Sequence, residues 1–237
     1  EGRKADYLVE VKTSSLPEAQ LLGSAIGMQV MEDVPFITGL DAHLGTELDQ
    51  KTRDYLKDFG AAAASNGSVG LYHVENLTPE ALELGRSLLR ENAKTLVITD
   101  ETLQETKANY PLMWKDKDAK AKLCFIGCPH LSLDQLRAWS AKLLDGLDAA
   151  GLKKVRVPVV LTAAVPVLKA FRRPGLEAQL KSRGIHLSYI CPLMYMNNPM
   201  AGKMPVITNS NKLRTYTSTR YYQDADLLAL LTGGKDA

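Results

Sequence analysis

The sequence predicts an α/β fold, a mostly parallel sheet with helices on both faces. Short apolar runs rich in Val, Ile and Leu recur along the chain. They lack polar alternation, as strands buried on both faces do. Segments of helical period separate them, and such alternation marks layered α/β architecture.

Taken in order, the strands are expected at Tyr7–Val11, Val69–Val74, Thr95–Thr99, Leu123–Ile126, Val157–Thr162, His186–Ile190 and Val206–Thr208. Helices are expected at Pro17–Glu32 and Leu48–Ala64. Pro79–Glu91 follows Thr78 as N-cap, with proline at the first helical position. Leu133–Ala150 stops before Gly151. Val165–Phe171 and Leu176–Arg183 follow, the last closed by Gly184. Lys115–Lys122 reads as a charged surface connector and a possible sub-boundary of the domain. Asn197–Pro205 holds Gly202 and two prolines and reads as a loop. No internal repeat is visible.

At 237 residues the chain suffices for one large domain or two small ones. Its 45% hydrophobic and 24% charged residues are ordinary for a globular protein. The net charge of +2 gives no reason to expect nucleic acid or an acidic membrane as partner. No apolar stretch of about 18 residues is present, so no transmembrane helix is expected. Three cysteines without a secretory signal point to a reducing, cytoplasmic setting without disulfides. Glu1 is not an initiator methionine, and Asp6–Val11 reads as a strand already under way. The chain is therefore expected to begin inside a domain, as a processed product, a trimmed chain or one part of a split protein.

Ligands of open parallel sheets bind outside the carboxyl ends of the strands, so reactive residues there matter most. Gly127-Cys128-Pro129-His130-Leu131-Ser132 reads as strand, tight turn and helix, with Ser132 and Gln135 forming a capping box. Backbone N–H groups converge there and favour a thiolate or a metal-bound sulfur. Cys128 and His130 suit a nucleophile with its base, or a metal ligand with a proton-transfer group. A buried cysteine and a capping histidine are the plainer alternative. Cys191-Pro192 repeats cysteine-proline after a strand, and two thiols at strand ends suit zinc or an iron–sulfur cluster. Cys124 lies inside an apolar strand and reads as a small hydrophobe.

Thr208-Asn209-Ser210-Asn211-Lys212 opens a helical segment and could seat a carboxylate or phosphate. An ordinary N-cap with a surface lysine explains it equally. His73 stands at a strand end before the helix start at Thr78-Pro79, either beside a substrate or as a hydrogen-bonded structural residue.

Several motifs in one order resemble the aconitase X family. Gly127-Cys-Pro-His-Leu-Ser is similar to that family's Gly-Cys-Pro-His-x-Ser motif. Gly60-Ala-Ala-Ala-Ala-Ser, Ser68-Val-Gly-Leu-Tyr-His-Val and Thr78-Pro-Glu-Ala81 resemble its preceding stretch. Cys191-Pro192 matches its second cysteine, and Thr208-Asn-Ser-x-Lys212 a later element. The resemblance runs from about Arg3 to Gly233. It implies an aconitase-like three-layer α/β/α fold and a hydro-lyase that dehydrates a small hydroxy acid of the mevalonate 5-phosphate or cis-3-hydroxyproline type. It further implies an iron–sulfur cluster with Cys128 and Cys191 as two ligands. His130, Ser210 and Lys212 would be catalytic, and Thr208, Asn209 and His73 would bind substrate.

The resemblance also implies that residues 1–237 form the C-terminal half of a large subunit. Expected partners are the N-terminal half, which would hold the third cluster ligand, and a small swivelling-domain subunit. The family's Asp-Thr-Cys appears here as Tyr189-Ile190-Cys191. That departure keeps two other readings open: a non-catalytic remnant or assembly module of the same fold, and a Cys128/His130 thiol enzyme.

Overall fold

The computed structural model describes residues 2–199 and 201–233. Glu1 and Met200, which fall in the opening segment and the loop read from the sequence, lie outside them. The chain divides into two compact units, residues 1–110 and 111–237.

In the first unit the elements run β1 (Ala5–Lys12), α1 (Ala19–Val30), β2 (Pro35–Thr38), α2 (Asp41–Leu44), α3 (Gln50–Gly67), β3 (His73–Val74), α4 (Pro79–Leu84), β4 (Leu89–Thr99) and α5 (Asp100–Ala108). The sheet order is β3-β2-β1-β4, all parallel, with Val9 opposite Ile37 on one side and Leu96 on the other. Neighbouring residues of a strand face opposite ways. Ile37 accordingly joins the main core with Val9, Ile26, Phe59 and Ile98, while Phe36 packs with Ala81 and Leu88. Helices α1 and α3 cross at unusually close range. A β-carbon on Gly27 would lie 2.7 Å from the Ala63 carbonyl oxygen, so only glycine permits that approach.

The second unit contains β5 (Leu123–Leu131), α6 (Leu133–Ala149), β6 (Val159–Ala163), α7 (Val165–Phe171), α8 (Leu176–Ser182), β7 (Ile185–Ser188), α9 (Pro192–Met196), β8 (Val206–Thr208), α10 (Asn211–Tyr216), β9 (Arg220–Tyr221) and α11 (Asp224–Thr232). Its order is β7-β6-β5-β8-β9, again all parallel. One face of the sheet packs Cys124, Ile126 and Leu161 against Leu136 and Leu143 of α6 and Leu231 of α11. The other face packs Phe125 and Cys128 against Met196, Val206 and Leu213.

The strands are thus shared between two sheets, each parallel and each packed against helices, in agreement with the predicted class. The first four strands of both units follow one order, a repeat of topology that no sequence repeat announces. Several expected elements differ. The helix begun at Pro79 stops at Leu84, because Gly85 turns the chain with φ of +52° and Leu89 starts β4. Only His73 and Val74 of the expected strand from Val69 pair with a neighbour. Tyr72 instead packs edge-on against Phe59 and donates from its hydroxyl to the Leu56 carbonyl. Strands β2 and β9 and helices α2, α5, α9 and α11 escape the sequence reading, the ninth helix beginning at Pro192 where a loop is expected. Among the described residues no helix is long and apolar enough to cross a membrane.

Candidate functional site

In the second unit, successive connections lead from β5 to β6 and β7 on one side. The chain then returns to β8 on the other side of β5. The direction of winding reverses between the carboxyl ends of β5 and β8, where ligand crevices of open parallel sheets form. Gly127 and Cys128 lie along β5 there, and Thr208, Asn209 and Ser210 close β8.

Local chemistry ties these ends together. Pairing of β5 with β6 is interrupted between Ile126 and Leu131. Gly127 adopts φ of +111° in that interruption, and its carbonyl accepts the Thr162 hydroxyl at 2.5 Å. A β-carbon there would meet the Thr162 hydroxyl oxygen at 2.6 Å, so glycine is required. The Cys128–Pro129 peptide is cis. The predicted capping box forms: Gln135 N donates to Ser132 Oγ at 3.2 Å, and Ser132 N donates to Gln135 Oε1 at 3.1 Å.

Thr208 and Ser210 are wholly buried. Thr208 Oγ1 donates to the Phe125 carbonyl at 2.8 Å and accepts from Ser210 N at 3.1 Å. Ser210 Oγ donates to the Cys128 carbonyl oxygen and accepts from Leu213 N, as the N-cap of α10. One hydroxyl therefore joins the thiol-bearing residue of β5 to the helix after β8. Asn209, half-buried, donates from Nδ2 to Asp224 Oδ1 at 2.8 Å. Lys212 is half-buried in the first turn of α10.

The cysteines occupy three environments. Cys128 is 5% exposed on the face it shares with Met196 and Leu213. Cys191 is half-buried and stands at the N-cap of α9, the helix that carries Met196 to that same cluster. Tyr195 of α9 packs edge-on against Phe125, with ring centres 5.2 Å apart. Cys124 faces the opposite side of the sheet, and burial pushes its thiol far up. It packs as the small hydrophobe expected of it. Soft thiols at Cys128 and Cys191 suit a cluster by their chemistry. Among the described residues, however, no group of three or more His, Cys, Asp or Glu side chains could hold a metal ion. Any cluster held by these two thiols would therefore need a donor beyond the described residues.

His130 is half-buried between Cys128 and the cap of α6. His73 belongs to the first unit, fully buried, with Nε2 2.8 Å from the Arg3 carbonyl oxygen. Since a carbonyl only accepts, that nitrogen carries the proton. The sequence reading missed Asp224. Burial raises its carboxyl above the ordinary range, opposed by the Asn209 hydrogen bond and by Lys142. Its only sequence signal, an acidic residue opening a helix, says nothing about contact with Asn209.

Family models agree with this geometry. Residues 5–108 match the second domain of aconitase X, and residues 121–231 match its third domain. The chain belongs to the aconitase X family. Among its relatives, the phosphomevalonate dehydratase large subunit of Thermococcus kodakarensis is 31% identical over 166 residues, 69% of this chain and 38% of that protein. The cis-3-hydroxy-L-proline dehydratase of Pseudomonas aeruginosa is 28% identical over 226 residues, 91% of this chain and 36% of that protein. The crystal structure of holo-form aconitase X from Thermococcus kodakaraensis superposes with a TM-score of 0.74 at 26% identity. The match covers 97% of this aconitase X chain and 55% of that one. The curated relatives named here are thus matched over little more than a third of their length.

Proposed function

We propose that this chain is one component of a hydro-lyase that dehydrates a small hydroxy acid of the mevalonate 5-phosphate or cis-3-hydroxyproline type. The carrying observation is the convergence of Cys128, Thr208, Asn209 and Ser210 at the switch point of the third-domain unit, with Cys191 capping a helix on the same face. Cys128 and Cys191 would hold an iron–sulfur cluster together with a donor from outside the chain. When bound, such a cluster supplies a Lewis-acidic iron for the substrate hydroxyl and carboxylate. Ser210 and Thr208 act by position, holding the Cys128 backbone and the end of β8 in place. Lys212 offers a cation to the substrate carboxylate or phosphate. Asn209, its Nδ2 held by Asp224, presents its amide oxygen as an acceptor for a substrate hydroxyl. His130 donates the proton that lets the hydroxyl leave as water, while a base brought by the remaining partners takes the proton from the carbon next to the carboxylate. The remaining partners are the rest of the large subunit and a small swivelling-domain subunit.

The test is dehydration by the assembled protein of mevalonate 5-phosphate and of cis-3-hydroxyproline. The proposal expects turnover of one of these, lost in Cys128→Ser. Equal activity in Cys128→Ser, or turnover by metal-free protein, would overturn it. A second reading, a non-catalytic assembly module of the same fold, draws on the need for a donor beyond the described residues and on Tyr189-Ile190 before Cys191. The thiol-enzyme reading fits less well, because Cys128 lies buried among Phe125, Met196, Val206 and Leu213 with little access for an external substrate.

A further inference from the structure

The net charge of +2 conceals a division. Residues 1–110 hold 18 Asp and Glu against 10 Lys and Arg, a net charge of −8. Residues 111–237 hold 9 against 19, a net charge of +10. Such asymmetry within one chain bears on association more than on fold. The positive charge is also concentrated. From Gly151 to Gly184 the chain has eight Lys and Arg and one acid, Glu177. Lys153, Lys154, Arg156, Arg172, Arg173 and Lys181 are all exposed. Val155 N donates to the Arg183 carbonyl at 3.0 Å, and Arg156 N to the Leu231 carbonyl at 3.0 Å. Those bonds lay the loop before β6 against the ends of α8 and α11. Helix C-termini attract cations, and α6, α8 and α11 end here with about 1.5 negative charges between them. Even with the carboxylates of Asp145, Asp148 and Glu177 added, the eight cations outweigh them.

This pole carries the amino ends of β6 and β7, whereas Cys128 and Ser210 lie toward the carboxyl ends of β5 and β8. In a parallel sheet these are opposite poles, so the patch lies away from that site. A nucleic acid drawn to the patch would also meet the first unit's charge of −8 as repulsion. A protein face of opposite sign would not, and the first unit itself supplies one. In α5, Asp100, Glu101 and Glu105 are exposed. Glu101 and Glu105 stand one helical turn apart, where like charges repel until a cation comes between them. We infer that the cationic pole of the second unit binds the acidic first unit of a second copy, with α5 at the contact. A two-fold dimer makes this contact twice and closes. The inference stands apart from the proposed reaction and needs neither cluster nor substrate.

The test is sedimentation velocity on the assembled protein, with carbodiimide cross-linking of a mixture of unlabelled and heavy-nitrogen-labelled copies. The mass of two assemblies is expected at about 50 mM salt and of one at about 500 mM, because salt screens exposed ion pairs. Carbodiimide, which joins amines to carboxylates, should link Lys153, Lys154 or Lys181 of one copy to Glu101 or Glu105 of the other. Combining Lys153→Glu, Lys154→Glu and Lys181→Glu should raise the dissociation constant about tenfold or more. These side chains are exposed, so the fold is retained. Adding Glu101→Lys and Glu105→Lys should restore the dimer, since the swap returns opposite signs to the contact. A single assembly at low salt would overturn the inference. So would a dimer indifferent to salt and to the triple variant, or cross-links confined to one copy. Nucleic acid that co-purifies with the protein and is lost in the triple variant would overturn it in favour of a nucleic-acid partner.

Discussion

Replacing Ser210 by alanine tests whether one hydroxyl holds the switch point together. Ser210 has no exposed surface, and its Oγ makes two bonds, to the Cys128 carbonyl and from Leu213 N. Loss of a serine N-cap costs about 0.5–2 kcal/mol. Leaving the Cys128 carbonyl without its donor costs about 1–3 kcal/mol more. The second unit should therefore lose about 1.5–5 kcal/mol. At about 3–5 °C per kcal/mol for a unit of this size, that lowers its Tm by about 5–25 °C. Both tryptophans of the chain, Trp114 and Trp139, lie in this unit, so their fluorescence during heating reports it alone. Ser182→Ala removes an exposed bond of the same kind, from Ser182 Oγ to the Gln179 carbonyl, and should cost less than about 0.5 kcal/mol. If Ser210→Ala shifts the transition no more than Ser182→Ala does, Ser210 does not carry this junction.

Gly127→Ala should destabilise the same unit by about 2–4 kcal/mol in the same fluorescence melt, since it adds left-handed strain to a collision with Thr162; a melt like wild type would show that β5 bends without glycine. Iodoacetamide should modify Cys191 first, Cys128 slowly, and Cys124 only on unfolding. Peptide mass spectrometry reads the order, and Cys124 reacting as fast as Cys191 would contradict the face assignment. Because burial raises the folded-state pKa of Asp224, the folded chain binds this proton more tightly than the unfolded chain. Its contribution to stability therefore falls as pH rises from the ordinary value of 3.8 through the raised one, and stays lower above it. Denaturant titrations across that window should show a flatter profile for Asp224→Asn, and an unchanged slope would refute the assignment.

The sequence carried the elements whose signals are local. Ser132 and Gln135 announce the start of α6, and the apolar run Leu123–Ile126 announces β5, because capping and burial are written in neighbouring residues. The strand-end rule likewise singled out Cys128, Cys191 and Ser210, which the structure brings to one unit. Non-local features were less legible. β2 is four residues long and starts at a proline, so its pairing with β1 decides it more than its composition. The helix at Pro79 was overextended because Gly85 reads as tolerable inside a helical pattern until its positive φ is seen. The contact between Asn209 and Asp224 joins residues of two elements and leaves no pattern. Position at a strand end also picks out His73, which lies in the first unit with its ring bonded to the Arg3 carbonyl.

The central claim is that Cys128 and Cys191 hold a cluster completed from outside this chain. Iron and acid-labile sulfide, counted per chain in anaerobically purified assembled protein, test it most directly. The account predicts iron and sulfide in near-equal amounts in the wild type, lost in both Cys128→Ser and Cys191→Ser and retained in Cys124→Ser. A cluster that survives both serine variants, or one that depends on Cys124, would contradict it.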